Sequence, residues 1–299
     1  MSPSQRIRKV VFPTAGLGTR ILPATAVLPK ELLPIVDKPI IQYGVEEAVA
    51  SGLTQVIFVS SPEKALLEAH FDRHPDLEKV LERRGTSTLL DGLRDVSQRM
   101  QLSTVFQDKP LGLGHAVLVS RELVDGEPFA VVLSDDVIDA DPPALKQMLS
   151  IFDEVQGPVL LVERVPRDAV SRYGVIASEP LGGGVHRVTN LVEKPSPADA
   201  PSDLAIIGRY LLTPDIYDAL EQTGPGAGGE IQLTDGLRRL LETRPIHAVE
   251  LNGVRQDTGN KLGYFQAVVY FAQRHPEFKD QLQDLFVDLK VSKPGASIT

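Results

Sequence analysis

Two glycines, an arginine and a lysine near the N-terminus have the types and spacing of an anion site. In Val10-Val11-Phe12-Pro13-Thr14-Ala15-Gly16-Leu17-Gly18-Thr19-Arg20 a β-branched run opens onto a glycine-bearing turn, and Lys30 follows in Leu28-Pro29-Lys30-Glu31-Leu32-Leu33-Pro34. Such a run marks a buried strand. Gly16 and Gly18 let backbone amides approach an anion without interference from a Cβ. Arg20 matches phosphate oxygens through paired hydrogen bonds, while the Lys30 ammonium acts as a point charge. The chemistry is that of a polyphosphate site. On the glycines alone, a bare βα turn with Arg20 and Lys30 in solvent fits equally well.

The common nucleotide loops are excluded by spacing. A Walker A loop needs Gly-Lys-Ser/Thr, which the chain lacks, and a dinucleotide fingerprint needs a third glycine where Ile21 stands. Pro23 and Pro29 also oppose the long helix that should follow such a fingerprint. A nicotinamide-binding protein is therefore disfavoured.

Acids appear where a nucleotide would need them. Asp135 and Asp136 follow the apolar run Phe129-Ala130-Val131-Val132-Leu133, and Asp257 sits in Val254-Arg255-Gln256-Asp257-Thr258-Gly259-Asn260-Lys261. Their oxygens suit Mg2+, which takes one or two protein carboxylates plus substrate phosphates. A turn for the Asp pair and a helix N-cap for Asp257 are the structural alternatives. Glu193-Lys194-Pro195 closes another strand and Tyr173-Gly174-Val175 opens one. There a carboxylate can hold sugar hydroxyls while the lysine balances a phosphate, and Gly174 lets backbone approach a ligand.

The elements that must position these groups read as α/β. Nearly continuous apolar strands are predicted over 10–13, 54–60, 103–107 and 129–134, with helical spacing over 40–51 and 114–123. Such runs fit a sheet covered on both faces, built from βα units and mostly parallel. Ligands of these sheets bind at the strand C-termini, where the glycine loop and Asp135 fall. From Pro158 the texture turns to strands, over 159–165, 174–177, 185–193 and 205–211, with Gly182-Gly183-Gly184 as a hairpin turn. Helical patterns return over 214–222, 231–243 and from Lys261 onward. One domain with a β-rich subregion is the economical reading.

Composition sets the outer bounds. The 299 residues are 42% hydrophobic and 24% charged, an ordinary globular balance. A net charge of −9 weighs against non-specific nucleic-acid binding. Residues 1–40 nevertheless hold Arg6, Arg8, Lys9, Arg20, Lys30 and Lys38 against Glu31 and Asp37, which predicts a cationic pocket in an acidic protein. The absence of cysteine excludes disulfides, thiolate catalysis and cysteine-ligated metals. No run approaches the ~18 apolar residues of a membrane span, and residues 1–9 lack the apolar core of a signal peptide. The expectation is a cytoplasmic protein that binds neither membrane nor nucleic acid.

Taken in order, the residue blocks resemble a known family. To the two N-terminal stretches are added Pro34-Ile35-Val36-Asp37-Lys38-Pro39, Gly112-Leu113-Gly114-His115-Ala116-Val117, Val192-Glu193-Lys194-Pro195, Gly226-Ala227-Gly228-Gly229-Glu230-Ile231-Gln232-Leu233-Thr234-Asp235 and Asp257-Thr258-Gly259-Asn260-Lys261-Leu262-Gly263-Tyr264. From about residue 8 to about residue 275 the chain resembles the bacterial UTP-glucose-1-phosphate uridylyltransferases, or UDP-glucose pyrophosphorylases, a branch of the sugar nucleotidyltransferases.

The resemblance implies a Rossmann-like nucleotidyltransferase fold, with a central mixed, mostly parallel sheet flanked by helices and a β-rich sugar-binding subregion. It implies a single domain with a nucleotide-binding part over about 8–157, a sugar-phosphate part over about 158–263 and C-terminal helices over about 264–291. The implied reaction is UTP plus α-D-glucose 1-phosphate giving UDP-glucose and pyrophosphate, by in-line attack on the α-phosphorus. By position, backbone groups of Ala15 and Gly16 with Gln107 and Gly112 would meet the uracil, and Gly18, Thr19, Arg20 and Lys30 the triphosphate. Gly174, Glu193, Lys194 and Gly208 would contact glucose 1-phosphate, and Asp135 and Asp257 would hold Mg2+. Arg20, Lys30, Asp135 and Asp257 are the implied catalytic set, with Asp136 beside it. A homo-oligomer, dimer or tetramer, is expected, and the apolar spacing from Phe278 to Val291 offers either its contact or a cap on the core. The chain departs from the family at Ala24-Thr25-Ala26, where Ala-Thr-Lys is usual, and at Gly229, where aspartate is frequent. Rival readings keep the fold but change the substrate pair, such as dTTP with glucose 1-phosphate or UTP with another hexose phosphate, or make the chain a non-catalytic regulatory paralogue.

Overall fold

A computed structural model describes residues 6–226 and 229–282. The strands are β1 (Lys9–Pro13), β2 (Pro34–Ile35), β3 (Lys38–Pro39), β4 (Gln55–Ser60), β5 (Gln101–Phe106), β6 (Phe129–Val132) and β7 (Asp136–Asp139). They continue with β8 (Val159–Arg164), β9 (Gly174–Gly182), β10 (Val185–Glu193), β11 (Leu204–Leu212), β12 (His247–Glu250) and β13 (Val254–Asp257). Nine of them form one sheet in the order β5-β4-β1-β6-β11-β8-β12-β10-β9.

The alternation of side chains along β1 explains why its run is apolar throughout. Val10 and Phe12 pack with Ile41 and Val45 of the helix Ile40–Ala50 and with Leu145 and Met148 of the helix Ala144–Val155. Val11 points to the opposite layer, with Ala116 and Val117 of the helix Leu113–Val119 and Leu233 and Leu237 of the helix Leu233–Leu241. Strands buried on both faces need apolar residues at every position. Their mutual register is set at one end: β1 runs parallel to β4 and β6, β4 parallel to β5, and Pro13 lies beside Val59. The C-terminal ends of all four therefore open on one edge.

The sheet is mixed. Its parallel pairings are β5-β4-β1-β6 from the N-terminal half and β8-β12 from the second, and β11 enters antiparallel between β6 and β8. The hairpin at Gly182-Gly183-Gly184 forms as expected, each glycine having positive φ. The helix expected over 114–123 is two, Leu113–Val119 and Arg121–Val124. Ser120 separates them and bonds its hydroxyl to the Val117 carbonyl at 2.7 Å, the local competition that disfavours serine inside helices. Asp257 is not an N-cap, because Asn260 fills that role for the helix Lys261–Ala272 by accepting from the Gly263 amide. The segment expected to make the oligomer contact lies largely outside the described residues. No helix among the described residues is long and apolar enough to cross a membrane.

One ion pair crosses the core. Arg209, in the middle of β11 and 1% exposed, meets Glu47 of the helix Ile40–Ala50 at 2.7 Å. Glu47 also accepts the Leu145 amide at 3.0 Å, and Arg209 donates to the Leu133 carbonyl at 3.1 Å. A charge buried this deeply is tolerable only when paired and hydrogen-bonded. Arg209→Met leaves the Glu47 carboxylate without its guanidinium and is expected to cost about 3–5 kcal/mol in urea unfolding. Adding Glu47→Gln should recover part of that loss.

Candidate active site

The glycine loop leaves β1 at the open edge of the sheet. Thr14 anchors it, donating from its amide (2.8 Å) and its hydroxyl (3.1 Å) to the Val59 carbonyl. Gly18 has φ of +65° just before the turn Thr19–Ile21, and its carbonyl accepts the Thr25 hydroxyl at 2.7 Å. A Cβ at Gly18 would lie 3.3 Å from those of Lys30 and Thr25, so glycine is required for both reasons.

A residue that spacing did not single out fixes this loop from behind. Lys64, in the turn after β4, donates to the carbonyls of Thr14 and Gly16, the latter at 2.7 Å, and pairs with Glu31 at 3.0 Å. Glu31 is fully buried, and burial pushes its carboxyl above the usual range despite Lys64. With loop carbonyls drawn toward Lys64, the loop joins the Lys30 segment through one cation. The signal available beforehand was position: Lys64 follows a parallel strand at its C-terminus, where ligand sites form.

Three aspartates gather at the same edge. Asp135 and Asp136 follow β6, and the short antiparallel ribbon of β7 and β13 sets Asp136 opposite Asp257. Each acid has its own cation. Lys30 meets Asp135 at 2.7 Å, Arg255 bonds Asp136, and Arg172 bonds Asp257. Burial would raise the Asp135 carboxyl, but the Lys30 ammonium outweighs it and holds the group below the usual carboxylate range. Lys30 is held above the ordinary lysine value in turn, the carboxylates of Asp135 and Glu31 overcoming its own burial. Asp136 is raised, by burial and by the neighbouring acids Asp135 and Asp257, in spite of Arg255. The pocket is thus charge-compensated rather than simply cationic. The local count over residues 1–40 omitted acids that arrive from distant segments. Arg20 is the exception, exposed and without a side-chain hydrogen bond or ion pair among the described residues.

Two cavities share this edge. The first, of about 390 Å³, is lined by Ala15, Gly16, Gly18, Thr19, Lys30, Gln107 and Gly112, with Pro13, Pro110 and Ala116 supplying an apolar end. The second, of about 580 Å³, is lined by Gly174, Glu193, Lys194, Gly208, Thr234 and Asp257. Arg20, Asp135, Glu230 and Gly259 line both. The wall of the second cavity depends on glycine. A Cβ at Gly208, in an irregular stretch of β11, would sit 2.6 Å from Asp136 Oδ2, and one at Gly174 would sit 2.8 Å from Thr234 Oγ1 and 3.3 Å from Glu193 Oε2. Glu193 is salt-bridged to Lys194 at 3.0 Å. Every residue given a site role from sequence thus lies on one cavity or the other; Arg172 and Thr234 line the second without having been assigned a role there, and Lys64 stands behind the loop, outside both linings.

Gly259 marks the space between the two outer acids. A Cβ there would be 3.1 Å from both Asp135 Oδ2 and Asp257 Oδ1, so these oxygens face a common gap that only glycine leaves open. The donor set fits Mg2+: hard carboxylate oxygens, few in number, with room for phosphate oxygens.

Comparison with known proteins is consistent with this geometry. The profile of a family described as nucleotidyl transferase matches residues 10–274. A UTP–glucose-1-phosphate uridylyltransferase of Bacillus subtilis strain 168 is 44% identical over 278 residues, 93% of this chain and 95% of that relative. The structure of a UDP-glucose pyrophosphorylase complexed with UDP-glucose aligns with TM-score 0.84 at 43% identity, covering 90% of this chain and all of that one (100%). A UTP-bound enzyme of the same kind from Acinetobacter baumannii aligns with TM-score 0.87 at 38% identity, covering 95% and 99% of the two chains.

The Lys30–Asp135 pair makes a pH prediction. A carboxyl depressed on folding adds stability above its unfolded pKa and loses it as pH falls through the folded value. In Lys30→Met, burial alone should carry the Asp135 carboxyl upward, read by carboxyl NMR titration. The variant's stability deficit should then shrink between about pH 6 and about pH 3.

Proposed function

The chain belongs to the nucleotidyl transferase family, and from that premise we propose that it joins UTP to α-D-glucose 1-phosphate, giving UDP-glucose and pyrophosphate. The observation that carries this reading is the meeting of two cavities at Arg20, Asp135 and Gly259, one suited to a nucleotide and one to a sugar phosphate. The names of its relatives at 44% and 43% identity support the substrate pair.

In this reading the base occupies the apolar end near Pro110 and Ala116, against Gln107 and the backbone of Ala15, Gly16 and Gly112. The triphosphate runs past Gly18 and Thr19 toward Arg20 and Lys30. Glucose 1-phosphate takes the second cavity, with its hydroxyls at Glu193, its phosphate near Lys194 and its ring over Gly174 and Gly208. On this reading the nucleotide part is about 8–157 and the sugar-phosphate part about 158–263, with Glu230 and Gly259 crossing to the first cavity and Arg20, Asp135 and Asp136 to the second.

The reaction needs no protein nucleophile. A phosphate oxygen of the sugar attacks the α-phosphorus of UTP, a new P–O bond forms, and the bond to the β-phosphate breaks with its electron pair leaving on pyrophosphate. Both reactants are anions, so the barrier is repulsion and alignment. Arg20, Lys30 and Lys194 present fixed positive charge at the junction, and loop amides hold the phosphates without reorganisation. Lys30 exchanges Asp135 for the phosphates as the nucleotide arrives. Asp135 and Asp257 would hold Mg2+, which supplies further neutralisation of phosphate charge. The same reading makes the enzyme cytoplasmic and homo-oligomeric, symmetric association being common.

Pyrophosphate release is the direct test, with UTP or dTTP offered against the 1-phosphates of glucose, galactose and mannose. Release is expected with UTP and glucose 1-phosphate above the other pairs; none with any pair would leave a regulatory paralogue. Lys30→Ala should lose ~10²–10³ in turnover, the scale for one preorganised electrostatic group. Excess EDTA should abolish activity and added Mg2+ restore it, whereas full activity in EDTA would remove the metal role of Asp135 and Asp257.

A further inference from the structure

His115 touches none of the charged groups above, yet it controls the one side-chain amide at the base end of the nucleotide cavity. Gln107 follows β5, is 6% exposed, and ties its backbone amide to the Ser60 carbonyl at 2.8 Å. Its side-chain Nε2 lies 2.8 Å from His115 Nδ1 and 3.4 Å from the Gly112 carbonyl. A carbonyl can only accept, so the amide atom shared by these two partners is the nitrogen. His115 Nδ1 therefore accepts, its ring proton sits on Nε2, and the Gln107 Oε1 is left with no hydrogen-bond partner among the described residues.

We infer that His115 is a positioning residue that selects uracil over cytosine by fixing which end of the Gln107 amide meets the base. The inference rests on the reading of this cavity as the UTP site. Uracil carries a hydrogen on N3 and can donate it to Oε1. Cytosine has an unprotonated N3 in the same place, and two acceptors would face each other. Turned over, the amide would present Nε2 and reverse that preference; the turn would set Oε1 against the Gly112 carbonyl, two acceptors facing each other, and would require His115 to move its ring proton to Nδ1. A site built to pair one polar group rejects an analogue that lacks it, because the site's own group is left unpaired.

The imidazole stands on an anchored stretch of backbone. It projects from the helix Leu113–Val119, whose start is clamped by the Gly114 amide on the Ile231 carbonyl and by the Ile231 amide on the Leu111 carbonyl, both at 2.8 Å. Gly112, with φ of +100°, admits no Cβ there, since one would lie 2.7 Å from Glu230 Cβ and 2.8 Å from the Ile231 carbonyl.

The test is equilibrium binding of UTP and CTP, with Mg2+, to the wild-type chain, His115→Leu and His115→Asn. Leucine keeps bulk but removes the acceptor, whereas asparagine can place Oδ1 close to where Nδ1 stands. The wild type should prefer UTP, His115→Leu should narrow the UTP-to-CTP affinity ratio by about tenfold, and His115→Asn should restore most of it. Equal binding of UTP and CTP by the wild type would overturn the inference. So would a leucine variant that weakens both nucleotides by one factor, the result of a merely structural role, or an asparagine variant no better than leucine. Binding needs no turnover, so failure to release pyrophosphate would count against the proposed reaction and leave this preference measurable.

Discussion

Three aspartates can share the end of a sheet only if cations stand between them. Asp135, Asp136 and Asp257 converge because β6 ends where β13 is paired with β7, and each is met by a cation from a separate part of the chain: Lys30, Arg255 and Arg172. Removing solvent from like charges is costly, and the interleaved lysine and arginines offset that cost. The arrangement ties the glycine-loop region, the short turn before β9 and the last strand to one small volume. The architecture around the cavities follows from keeping those charges matched.

What was legible beforehand was what periodicity and glycine chemistry record. Val10 to Phe12 declared a strand with both faces covered, Gly182 to Gly184 declared a hairpin, and Gly16 to Gly18 declared a glycine-bearing turn at a strand end. What escaped depends on pairing between distant segments. The ribbon of β7 and β13 is short and polar, so neither strand carries an apolar alternation. Arg209 interrupts an otherwise apolar strand, and nothing in its neighbours names Glu47 as the partner. Lys64 lies in an unremarkable Pro-Glu-Lys turn, and only the folded chain sets it under the loop carbonyls. Charge counted along residues 1–40 missed the acids that compensate the pocket for the same reason.

The glycines divide by task. Gly18, Gly112 and Gly208 adopt backbone angles that other residues rarely take, and the first two line the first cavity. Gly174, Gly208 and Gly259 matter for what they leave out, since a Cβ at any of them would press on Glu193, Asp136 or the Asp135 and Asp257 oxygens. Cavity shape near the acids is therefore defined by missing side chains, which no motif of charged residues would convey.

The Lys30–Asp135 contact has a further consequence for how the cleft meets its surroundings. With Lys30 already matched by an internal carboxylate, Arg20 is the cation that an entering anion meets unopposed, and Lys30 is reached only by displacing Asp135. A long polyanion can displace the carboxylate only by offering the ammonium a better partner and the vacated carboxylate a substitute cation. The resting contact thus discriminates by charge balance: a ligand that brings a cation of its own leaves both partners matched, and a bare anion strands the carboxylate.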